Sequence, residues 1–534
     1  MKKNRFLAAV LASAMLISVA GCGSEKEKQT AEELNMPKGE VEYPIKEAAG
    51  QKITFWKPLN GGVAAIAESE NEIQFTKWLK EETGIEVEFI HPPIGQESEK
   101  FNLMLASGEL PDIIQYNLSN TSDGAERLIE KNYFTPLSEE FLNEYAPNYA
   151  KHLSENPELA RSAKLNNGTY YGFAPWRTDD SMTVFSGPII RKDWLDDLGL
   201  SAPETIDEWH EVLTRFKKDK GATAPLTLAS TASFSVGLFS GAYGVKLDYY
   251  TNNGKVTHGI IEPEFKNFIA EMAKWYDEGL LDKDFASNSK EQTDTRMLTG
   301  KSGATYGLIG SGMGNLLSAA PNDKYSLMAA KYPSLKKGEK SEMGAKDSKY
   351  YEPCYLISST CKNKALAARL LDYGYSEKGN MLYNFGREGE SYEMVDDFPT
   401  FTDLIYNNPD GLSTTQALNM YTHCAYMGPA AFDVRFFKQQ YQYQEQKDAI
   451  DIWADTNANE HMITMYNAAT KDEIAEITKL STDINTHIGE NIVQFIMGVR
   501  PLSEFDAFVK ELKDMGLLRV IELKQAGYDR YQSR

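Results

Sequence analysis

The sequence predicts an α/β protein of two lobes, each built on an open and mostly parallel sheet. The first observation is that strand-like and helix-like apolar patterns alternate through the region 52–116. The second is length, because 534 residues exceed the ~250–300 residues at which a single hydrophobic core stops growing. The third is a central stretch, 165–210, in which glycines, aromatic residues and a capping motif mark successive turns, strands and helices.

The region 52–116 begins with a β-α-β pattern. Residues 52–56 (KITFW) form a predicted strand, and residues 71–82 carry apolar side chains at helical spacing before Gly84 stops the helix. Residues 85–89 (IEVEF) alternate apolar and acidic side chains, which is typical of a half-buried strand. Such a unit implies a parallel strand pair with a right-handed crossover. A further strand is predicted at 111–116 (PDIIQY).

The central stretch divides into a turn, two strands and two helices. The NGTYYGF run at 167–173 places an Asn-Gly turn before a strand. An apolar run at 184–191 predicts the next strand, and a helix follows at 192–200. Thr205 and Glu208 have the spacing of a capping box, which predicts the start of a second helix.

Three motifs in this stretch carry a family resemblance: NGTYYG at 167–172, RKDWLDDLGL at 191–200 and PETIDEW at 203–209. In this order and at this spacing they resemble the extracellular solute-binding proteins of ABC importers, in the carbohydrate-type family. The resemblance is strongest with the long lipoprotein members, which are similar in plan to maltose- and alginate-binding proteins. It extends over nearly the whole mature chain, through GELPDII at 108–114 and NFGREG at 384–389.

The resemblance implies a two-lobed periplasmic-binding-protein-like fold with a hinge between the lobes. The lobes would be discontinuous, with 45–165 plus 325–385 in the first lobe and 166–324 plus 386–534 in the second. It also implies a function, in which the protein captures an oligosaccharide, closes its lobes and delivers the ligand to the permease subunits of an ABC transporter. A sensor that presents its ligand to a receptor kinase would use the same fold and is one alternative.

The N-terminal residues 1–21 are a predicted signal peptide. Basic residues precede an apolar run at 6–20, which is shorter than the ~20 residues of a membrane span. The run ends in VAGC, which resembles a bacterial lipobox, so Cys22 is expected to carry a lipid. Residues 22–44 would then form the anchor and a flexible tether on the extracellular face of the cell membrane. The alternative is an ordinary signal peptide that contains a cysteine.

The formal net charge of −21 limits the partners of the folded part. An acidic surface argues against nucleic acid and against an anionic membrane surface as partners. No later stretch approaches the ~18 apolar residues that would suggest a further membrane span. We therefore expect membrane contact through the lipid anchor only, and we expect a monomer.

Sequence motifs of enzymes are mostly absent. The chain has no His-Glu-x-x-His, no Cys-x-x-Cys, no Gly-x-Ser-x-Gly and no Walker A loop, so no catalytic residue is predicted. A glycosidase needs only two carboxylates about 5–10 Å apart, however. The 77 acidic residues leave such a pair open. A surface-anchored carbohydrate-active enzyme is therefore the second alternative.

No metal or other cofactor is predicted. Some long members of the family that this chain resembles carry an acidic calcium-binding loop after the helix that begins at the TxxEW motif. In this chain residues 216–226 (FKKDKGATAPL) lack the ladder of Asp and Asn side chains that a hard cation needs. Cys354 and Cys361 fall on opposite faces of a predicted strand and turn, which favours buried free thiols, with a disulfide as the alternative.

Loops at strand ends are the natural donors of ligand-binding residues, because aromatic faces and polar groups there can meet a sugar. The candidates are Trp56, Asn60, Asn117, Trp176, Arg177, Tyr243, Met313, Asn315, Arg387 and Glu388. Trp176 and Arg177 are expected to face the cleft, exposed to ligand. Each candidate has a structural alternative, such as core packing for Trp56 or a local ion pair for the Arg387–Glu388 dipeptide. Packing and hinge roles are expected of Tyr170, Tyr171, Trp194 and Trp209.

Overall fold

The computed structural model describes residues 35–118, 121, 124–352, 354–423, 428–466 and 468–534. The predicted signal peptide and Cys22 lie outside the described residues. The strands are β1 Lys52–Trp56, β2 Glu86–Ile90, β3 Ile113–Tyr116, β4 Trp176–Arg177, β5 Ser186–Arg191, β6 Leu226–Thr227, β7 Tyr249–Asn252, β8 Lys255–His258, β9 Ala304–Leu308, β10 Leu327–Ala329, β11 Cys354–Ile357, β12 Tyr392–Val395, β13 Phe398–Phe401 and β14 Ala431–Phe432.

The helices surround the sheets. They are α1 Gly61–Ala64, α2 Gln74–Thr83, α3 Glu97–Ser107, α4 Gly124–Glu130, α5 Glu139–Tyr145, α6 Pro147–Glu155, α7 Pro157–Ala163, α8 Lys192–Leu198, α9 Ile206–Asp219, α10 Ala232–Ser235, α11 Pro263–Asp277, α12 Lys290–Leu298, α13 Asn315–Ser318, α14 Lys364–Tyr373, α15 Glu377–Phe385, α16 Asp403–Tyr406, α17 Thr414–Tyr421, α18 Val434–Gln439, α19 Gln444–Ala454, α20 Lys471–Ile496, α21 Phe505–Asp514 and α22 Leu517–Gln532. None of these described helices is long and apolar enough to cross a membrane.

The first sheet has the strand order β11-β3-β1-β2. β1 pairs in parallel with β2 and with β3, and β11 runs antiparallel to β3. The parallel register sets Phe55 opposite Phe89, and the centroids of their rings lie 5.3 Å apart. This pairing confirms the predicted β-α-β unit, although α2 begins at Gln74 and not at Asn71.

The second sheet has the order β10-β5-β9-β6, and it differs from the mostly parallel sheet that the sequence predicts. β5 runs antiparallel to both of its neighbours, and only β6 and β9 are parallel partners. The reason lies in connectivity, because β5 is the strand by which the chain enters this lobe. β6, β9 and β10 run the opposite way, so their carboxyl ends lie at the edge where β5 begins.

Two hydrophobic cores correspond to the two sheets. The first contains buried side chains from 36–176 and 350–383, together with Ala430 and Ala431. The second contains buried side chains from 182–345 and from 385–520. Apolar burial of this kind is the main stabilising contribution to each lobe.

The cores correct the lobe boundaries expected from the sequence. Residues 166–176 pack in the first lobe, because Phe173 pairs with Tyr355 of β11. Residues 325–345 pack in the second lobe, because β10 is the outer neighbour of β5 in that sheet. Two crossings therefore fall near 176–182 and 345–350, and a third falls at 383–385.

Three chain segments lie side by side where the lobes meet, and we call them the hinge strands: β4, residues 349–350 and β14. β4 and β14 pair in parallel. The amide of Arg177 donates to the carbonyl of Lys349 over 3.0 Å. Because the backbone of β4 bonds to both other segments, these strands form a continuous connection between the cores.

Local structure in the central stretch follows the sequence prediction except at 169–173, where the predicted strand is reduced to isolated bridges at Tyr170 and Phe173. α8 ends at Gly199, whose φ of 64° is left-handed and suits glycine. Thr205 and Glu208 form the predicted capping box at the start of α9. The predicted packing residues Tyr170, Tyr171, Trp194 and Trp209 are all buried. Cys354 and Cys361 are buried free thiols.

Candidate functional site

Loops from both lobes follow strand ends near the junction. In the first lobe, Lys57 and Asn60 follow β1, and Asn117 follows β3. In the second lobe, β9 leads into a π-helical turn, Ile309–Gly314, which continues into α13. Ligands of α/β proteins commonly bind at the carboxyl ends of strands, and β1, β3 and β9 all end here.

Helix α17 joins the two sides. Its residue Ala417 is buried in the second core, whereas Met420 packs against the first. α17 also contacts the short helix α1, where Gly62 faces Asn419. A Cβ atom at Gly62 would lie 2.5 Å from Nδ2 of Asn419, so a side chain there would displace the Asn419 carboxamide. Asn60 caps α1 by accepting a hydrogen bond from the amide of Gly62 over 2.7 Å.

A cavity of about 510 Å³ opens between α17, the turn after β9 and the start of α19. We call it the junction cavity. It is lined by Gly310, Ser311, Gly314, Asn315, Ser318, Thr415, Leu418, Asn419, Thr422, Phe436, Gln440, Tyr441, Gln442, Tyr443 and Gln446. Its size falls within the range of about 300–1,000 Å³ that small-ligand pockets occupy.

Gln446 connects two walls of the junction cavity. Its Nε2 donates to the carbonyl of Ile309 over 2.8 Å, and its Oε1 accepts from the amide of Tyr443 over 3.2 Å. Gly314 makes room for this side chain, since a Cβ atom there would lie 2.6 Å from Nε2 of Gln446. The carboxamide thereby holds the start of α19 against the turn after β9.

A buried ionic triad lies where β1 ends. The side chains of Lys57, Glu70 and His423 are 2% exposed or less. Nζ of Lys57 lies 2.9 Å from Oε1 of Glu70, and Nε2 of His423 lies 2.8 Å from Oε2 of the same carboxylate. Since His423 directly follows Thr422, which lines the junction cavity, the triad attaches this cavity wall to the first lobe.

Burial alone would raise the pKa of Glu70, but the charges of Lys57 and His423 and the hydrogen bonds from both outweigh burial and lower the pKa to about 2. Burial lowers the pKa of Lys57 and that of His423. The carboxylate therefore stays ionised throughout the neutral range, where it is bound on both oxygens.

The structure brings a minority of the predicted residues to the junction cavity. Asn315 lines it directly. Asn60 lies outside the cavity. It bonds to Gly62, which in turn faces the lining residue Asn419. Asn117 is half-buried immediately after β3.

Three predicted ligand residues lie in the cores, which corrects the expectation that they face a ligand. Trp56 is 3% exposed and packs against Phe101 and Tyr116. Trp176 is 5% exposed in the first core, and Met313 is fully buried in the second. Trp56 ends β1, Trp176 begins β4 and Met313 lies in the turn after β9, but each side chain points into its lobe.

Arg177 is also buried, at 2% exposure, and it serves the hinge strands. Its guanidinium donates to the carbonyl of Ser348 and, over 3.0 Å, to Oδ2 of Asp347. It also lies 4.9 Å from the centroid of the Tyr351 ring. The expectation of an exposed donor fork for sugar is therefore wrong in this structure, because the fork is bound within the protein.

The remaining predicted residues lie away from the junction cavity. Arg387 donates to Glu81 over 2.6 Å, and it lines with Glu388 a separate cavity of about 660 Å³. Tyr243 packs beside Phe268, with ring centroids 6.3 Å apart, and burial raises its pKa to about 12. The side chains of Arg387 and Tyr243 thus make contacts within the protein.

Sequence reasoning missed most of the cavity lining. The residues at 439–444 (QQYQYQ) alternate carboxamide and phenol side chains, and four of them line the cavity. This composition was the available signal, because it supplies hydrogen-bonding groups and aromatic faces without charge. Among the described residues, no group of three His, Cys, Asp or Glu side chains is arranged to hold a metal ion.

Comparison with known proteins gives a family match. The model of the family described as "Bacterial extracellular solute-binding protein" matches residues 63–381. Lipoprotein LipO of Bacillus subtilis is 28% identical over 455 residues, which span 82% of this chain and 86% of LipO. The fructooligosaccharide ABC transporter substrate-binding protein FusA of Streptococcus pneumoniae is 24% identical over 98% of both chains.

The fold is also found among solved structures. The crystal structure of the alginate-binding protein AlgQ2 aligns with a TM-score of 0.69 at 23% sequence identity, over 92% of this chain and all of the other. The match confirms the predicted two-lobed solute-binding fold. The proteins matched by family and by sequence are binding proteins and not enzymes where their function is named.

Proposed function

Because the chain belongs to the bacterial extracellular solute-binding protein family, we propose that it captures an oligosaccharide and delivers it to the permease subunits of an ABC transporter. The observation that carries this proposal is the junction cavity, which has the size and polar lining of a ligand pocket. The relative FusA, which spans nearly the whole chain, is named for fructooligosaccharide transport and supports an oligosaccharide as ligand. No catalytic step and no cofactor are part of the proposal.

Ligand capture proceeds by closure of the two lobes. The hinge strands are three short backbone segments, so a small rotation there moves the whole of one lobe relative to the other. Loops after β1 and β3 approach the junction cavity as the lobes close, and the ligand stabilises the closed state because it contacts both sides. The permease then distinguishes loaded from empty protein by the position of the lobes.

The proposed ligand contacts are the exposed and half-buried polar side chains of the junction cavity. Asn315 lines the cavity and is retained from the sequence prediction, whereas Asn60 and Asn117 lie outside it and would join the site from the first lobe as the lobes close. The other two walls contribute Asn419 and Gln442. These five side chains present carboxamides, which both donate and accept hydrogen bonds as sugar hydroxyls do.

The location proposed for the protein is the outer face of the cell membrane. Residues 1–21 act as the signal peptide and Cys22 carries the lipid. The tether is shorter than the expected 22–44, because Met36 is buried in the first core and Tyr43 packs against it. The relative LipO is named as a lipoprotein, which supports the anchor. The folded part works as a monomer and touches the membrane through the lipid alone.

The anchor is tested by replacing Cys22 with alanine. Cys22→Ala is expected to release the protein to the medium or to leave an uncleaved precursor, because the lipid attachment atom is lost. Cys361→Ala, which removes a buried thiol of the first core, is the matched control and should stay on the membrane. A Cys22→Ala protein that remains acylated and membrane-bound would contradict the proposed anchor.

The binding function is tested by thermal unfolding of the protein against a panel of oligosaccharides. A ligand at about 100 times its Kd is expected to stabilise the folded state by ~2.7 kcal/mol, which raises the Tm measurably. Small-angle scattering on the same samples should show a smaller radius of gyration with the stabilising sugar. If no sugar in the panel raises the Tm, the proposal fails.

A further inference from the structure

The junction cavity has a feature that bears on which sugars it accepts. None of its described lining residues is Asp, Glu, Lys, Arg or His. The lining consists instead of carboxamides, hydroxyls, two phenol rings, one phenyl ring, a leucine and two glycines. In a chain where 25% of residues are charged, a ligand-sized cavity without charge is a property of the site and not of the overall composition.

Three uncharged segments of the sequence produce most of this lining, and Phe436 and Gln446 complete it from outside those segments. Residues 302–322, 411–422 and 439–444 contain no charged residue, and each supplies one wall of the cavity. The first segment is far from the other two in the sequence, so the fold has brought uncharged segments together at one place. The first includes the turn after β9, the second is α17 with its flanks, and the third leads into α19.

Of the cations on neighbouring elements, two are paired with carboxylates, and the exposed ones do not line the cavity. Arg435 on α18 forms a paired contact with Asp433, at 3.0 Å from Nε to Oδ1 and 2.6 Å from Nη2 to Oδ2. Lys57 is buried against Glu70. Lys438 is exposed on α18 and is not among the residues that line the cavity.

This arrangement favours a neutral ligand on physical grounds. An anionic group that leaves water for such a site loses its hydration and gains no counter-charge, which is strongly unfavourable. Tight carboxylate recognition in proteins relies on charge-assisted bonds from Arg or Lys. Sugar hydroxyls, by contrast, are matched by carboxamides that donate and accept, and their C–H faces are matched by the rings of Tyr441 and Tyr443.

We infer that the junction cavity accepts neutral oligosaccharides and discriminates against oligosaccharides that carry uronic acids. The inference rests on the proposed function and names the ligand class of the same site. The uncharged lining supplies the specificity, since it lacks the cation that would offset the lost hydration of a uronate.

The test is calorimetric titration of the full chain with paired ligands that differ only in oxidation at C6. Suitable pairs are manno-oligosaccharides with mannuronate oligosaccharides, and galacto-oligosaccharides with galacturonate oligosaccharides, at equal chain length. Fructo-oligosaccharides are a further neutral series. The expected result is that at least one neutral series binds, and that any uronate partner of the neutral binder binds at least about tenfold more weakly, or ~1.4 kcal/mol.

The outcomes separate this inference from the function on which it rests. If a uronate series binds as tightly as its neutral partner, or if only uronates bind, oligosaccharide capture stands and the inference is overturned. If neither class binds, the proposed function fails and the inference fails with it.

A variant that adds a positive charge to the cavity provides an independent readout. Gln442 lines the cavity and is exposed, so Gln442→Arg should fold normally and improve uronate binding about tenfold or more while weakening the neutral ligand. Gln494→Arg, on an exposed position of α20 that contributes nothing to the cavity, is the matched control for net charge. An equal gain in both variants would attribute the effect to overall charge and overturn the inference.

Salt dependence gives a third readout on the unmodified protein. Neutral-ligand affinity should change less than about twofold between low and high ionic strength, because no ion pair forms. The uronate affinity gained by Gln442→Arg should weaken with salt. A strongly salt-dependent neutral affinity in the unmodified protein would contradict an uncharged site.

Discussion

The ends of β1 and β9 lie on either side of the lobe junction, and they carry opposite chemistry. Beyond β1, Lys57 and Glu70 form a charged and fully buried pair with His423. Beyond β9, the turn Ile309–Gly314 opens into a cavity without a charged lining residue among those described. α17 lies between the two, because Thr422 faces the cavity and the next residue belongs to the triad.

This contrast shows that charged side chains have a structural role at the junction and that uncharged polar side chains have the binding role. A buried charged triad is costly to desolvate and tolerates little displacement, so it holds a wall in one place. An uncharged polar surface is easily solvated when empty and easily matched by hydroxyl groups when occupied. The protein thus places charged side chains behind the wall of the junction cavity and carboxamides on its surface.

The largest effect is expected from breaking the triad. Glu70→Gln removes the carboxylate that compensates Lys57, leaving a buried ammonium without its counter-charge, and should cost about 3–5 kcal/mol of unfolding free energy. Urea denaturation measures the loss. The double variant Lys57→Met/Glu70→Leu should recover much of it, because both buried charges of the pair are removed. A loss below about 1 kcal/mol in Glu70→Gln would show that the triad does not support the wall.

The next largest effect is expected from a substitution in the hinge strands. Trp176→Ala removes a buried indole from the first core and should cost about 3 kcal/mol, near the lower end for buried tryptophans, because the rim of the lobe junction can partly collapse. Affinity for the sugar should change less than about threefold, since the ring faces away from the cavity. Trp176→Phe, which retains a ring, is the control. Lost affinity at unchanged stability would restore the sequence-based expectation that Trp176 contacts ligand.

Lowering the pH should affect the two regions differently. The folded-state pKa of Glu70, about 2, lies below its ordinary value of 4.5, so its contribution to stability is present above pH 4.5 and is lost as the pH falls towards 2. Each unit of this shift corresponds to ~1.4 kcal/mol. The stability difference between the unmodified protein and Glu70→Gln should therefore shrink between pH 4.5 and 3.

Ligand affinity should not follow the same curve. The described cavity lining contains no carboxyl, imidazole or amine group, so the Kd should vary less than about twofold between pH 5 and 8. Titration calorimetry at three pH values provides the measurement. Two results would contradict the contrast between the two regions. One is a Kd that rises steeply below pH 6, and the other is a stability difference between the unmodified protein and Glu70→Gln that does not change with pH.

Among the single substitutions, the smallest effect is expected from one ring of the cavity. Tyr443→Ala should weaken binding by on the order of 1–3 kcal/mol, or about 5- to 150-fold, through loss of a stacking face. Stability should change little, because the bond that Gln446 accepts comes from the backbone amide of Tyr443 and persists. Tyr443→Phe keeps the ring and should retain most of the affinity. Equal affinity in all three proteins would remove Tyr443 from the site.

The sequence predicted the parts of the fold that local patterns determine. Alternation in β2, the capping box at Thr205 and the glycine stop at Gly199 each specify their own few residues, and all three are present. The direction of β5 was not predicted, because it depends on where the chain crosses between the lobes.

The candidate site was predicted less well, for a related reason. A strand end can be located from sequence, but whether Trp56 or Trp176 turns its ring inward depends on packing by distant segments. The junction cavity arises only when 411–422 and 439–446 come to lie beside the turn after β9. That long-range placement is not encoded in any local period of the sequence.

The central claim, that the junction cavity is where the sugar binds, is tested most directly by a crystal structure with the oligosaccharide that stabilises the protein. The predicted result is a sugar in contact with Asn315, Gln442 and Tyr443, with the hinge strands rotated and the triad unchanged from the free protein. A sugar bound instead in the separate cavity beside Arg387 and Glu388, with the junction cavity empty, would contradict the account.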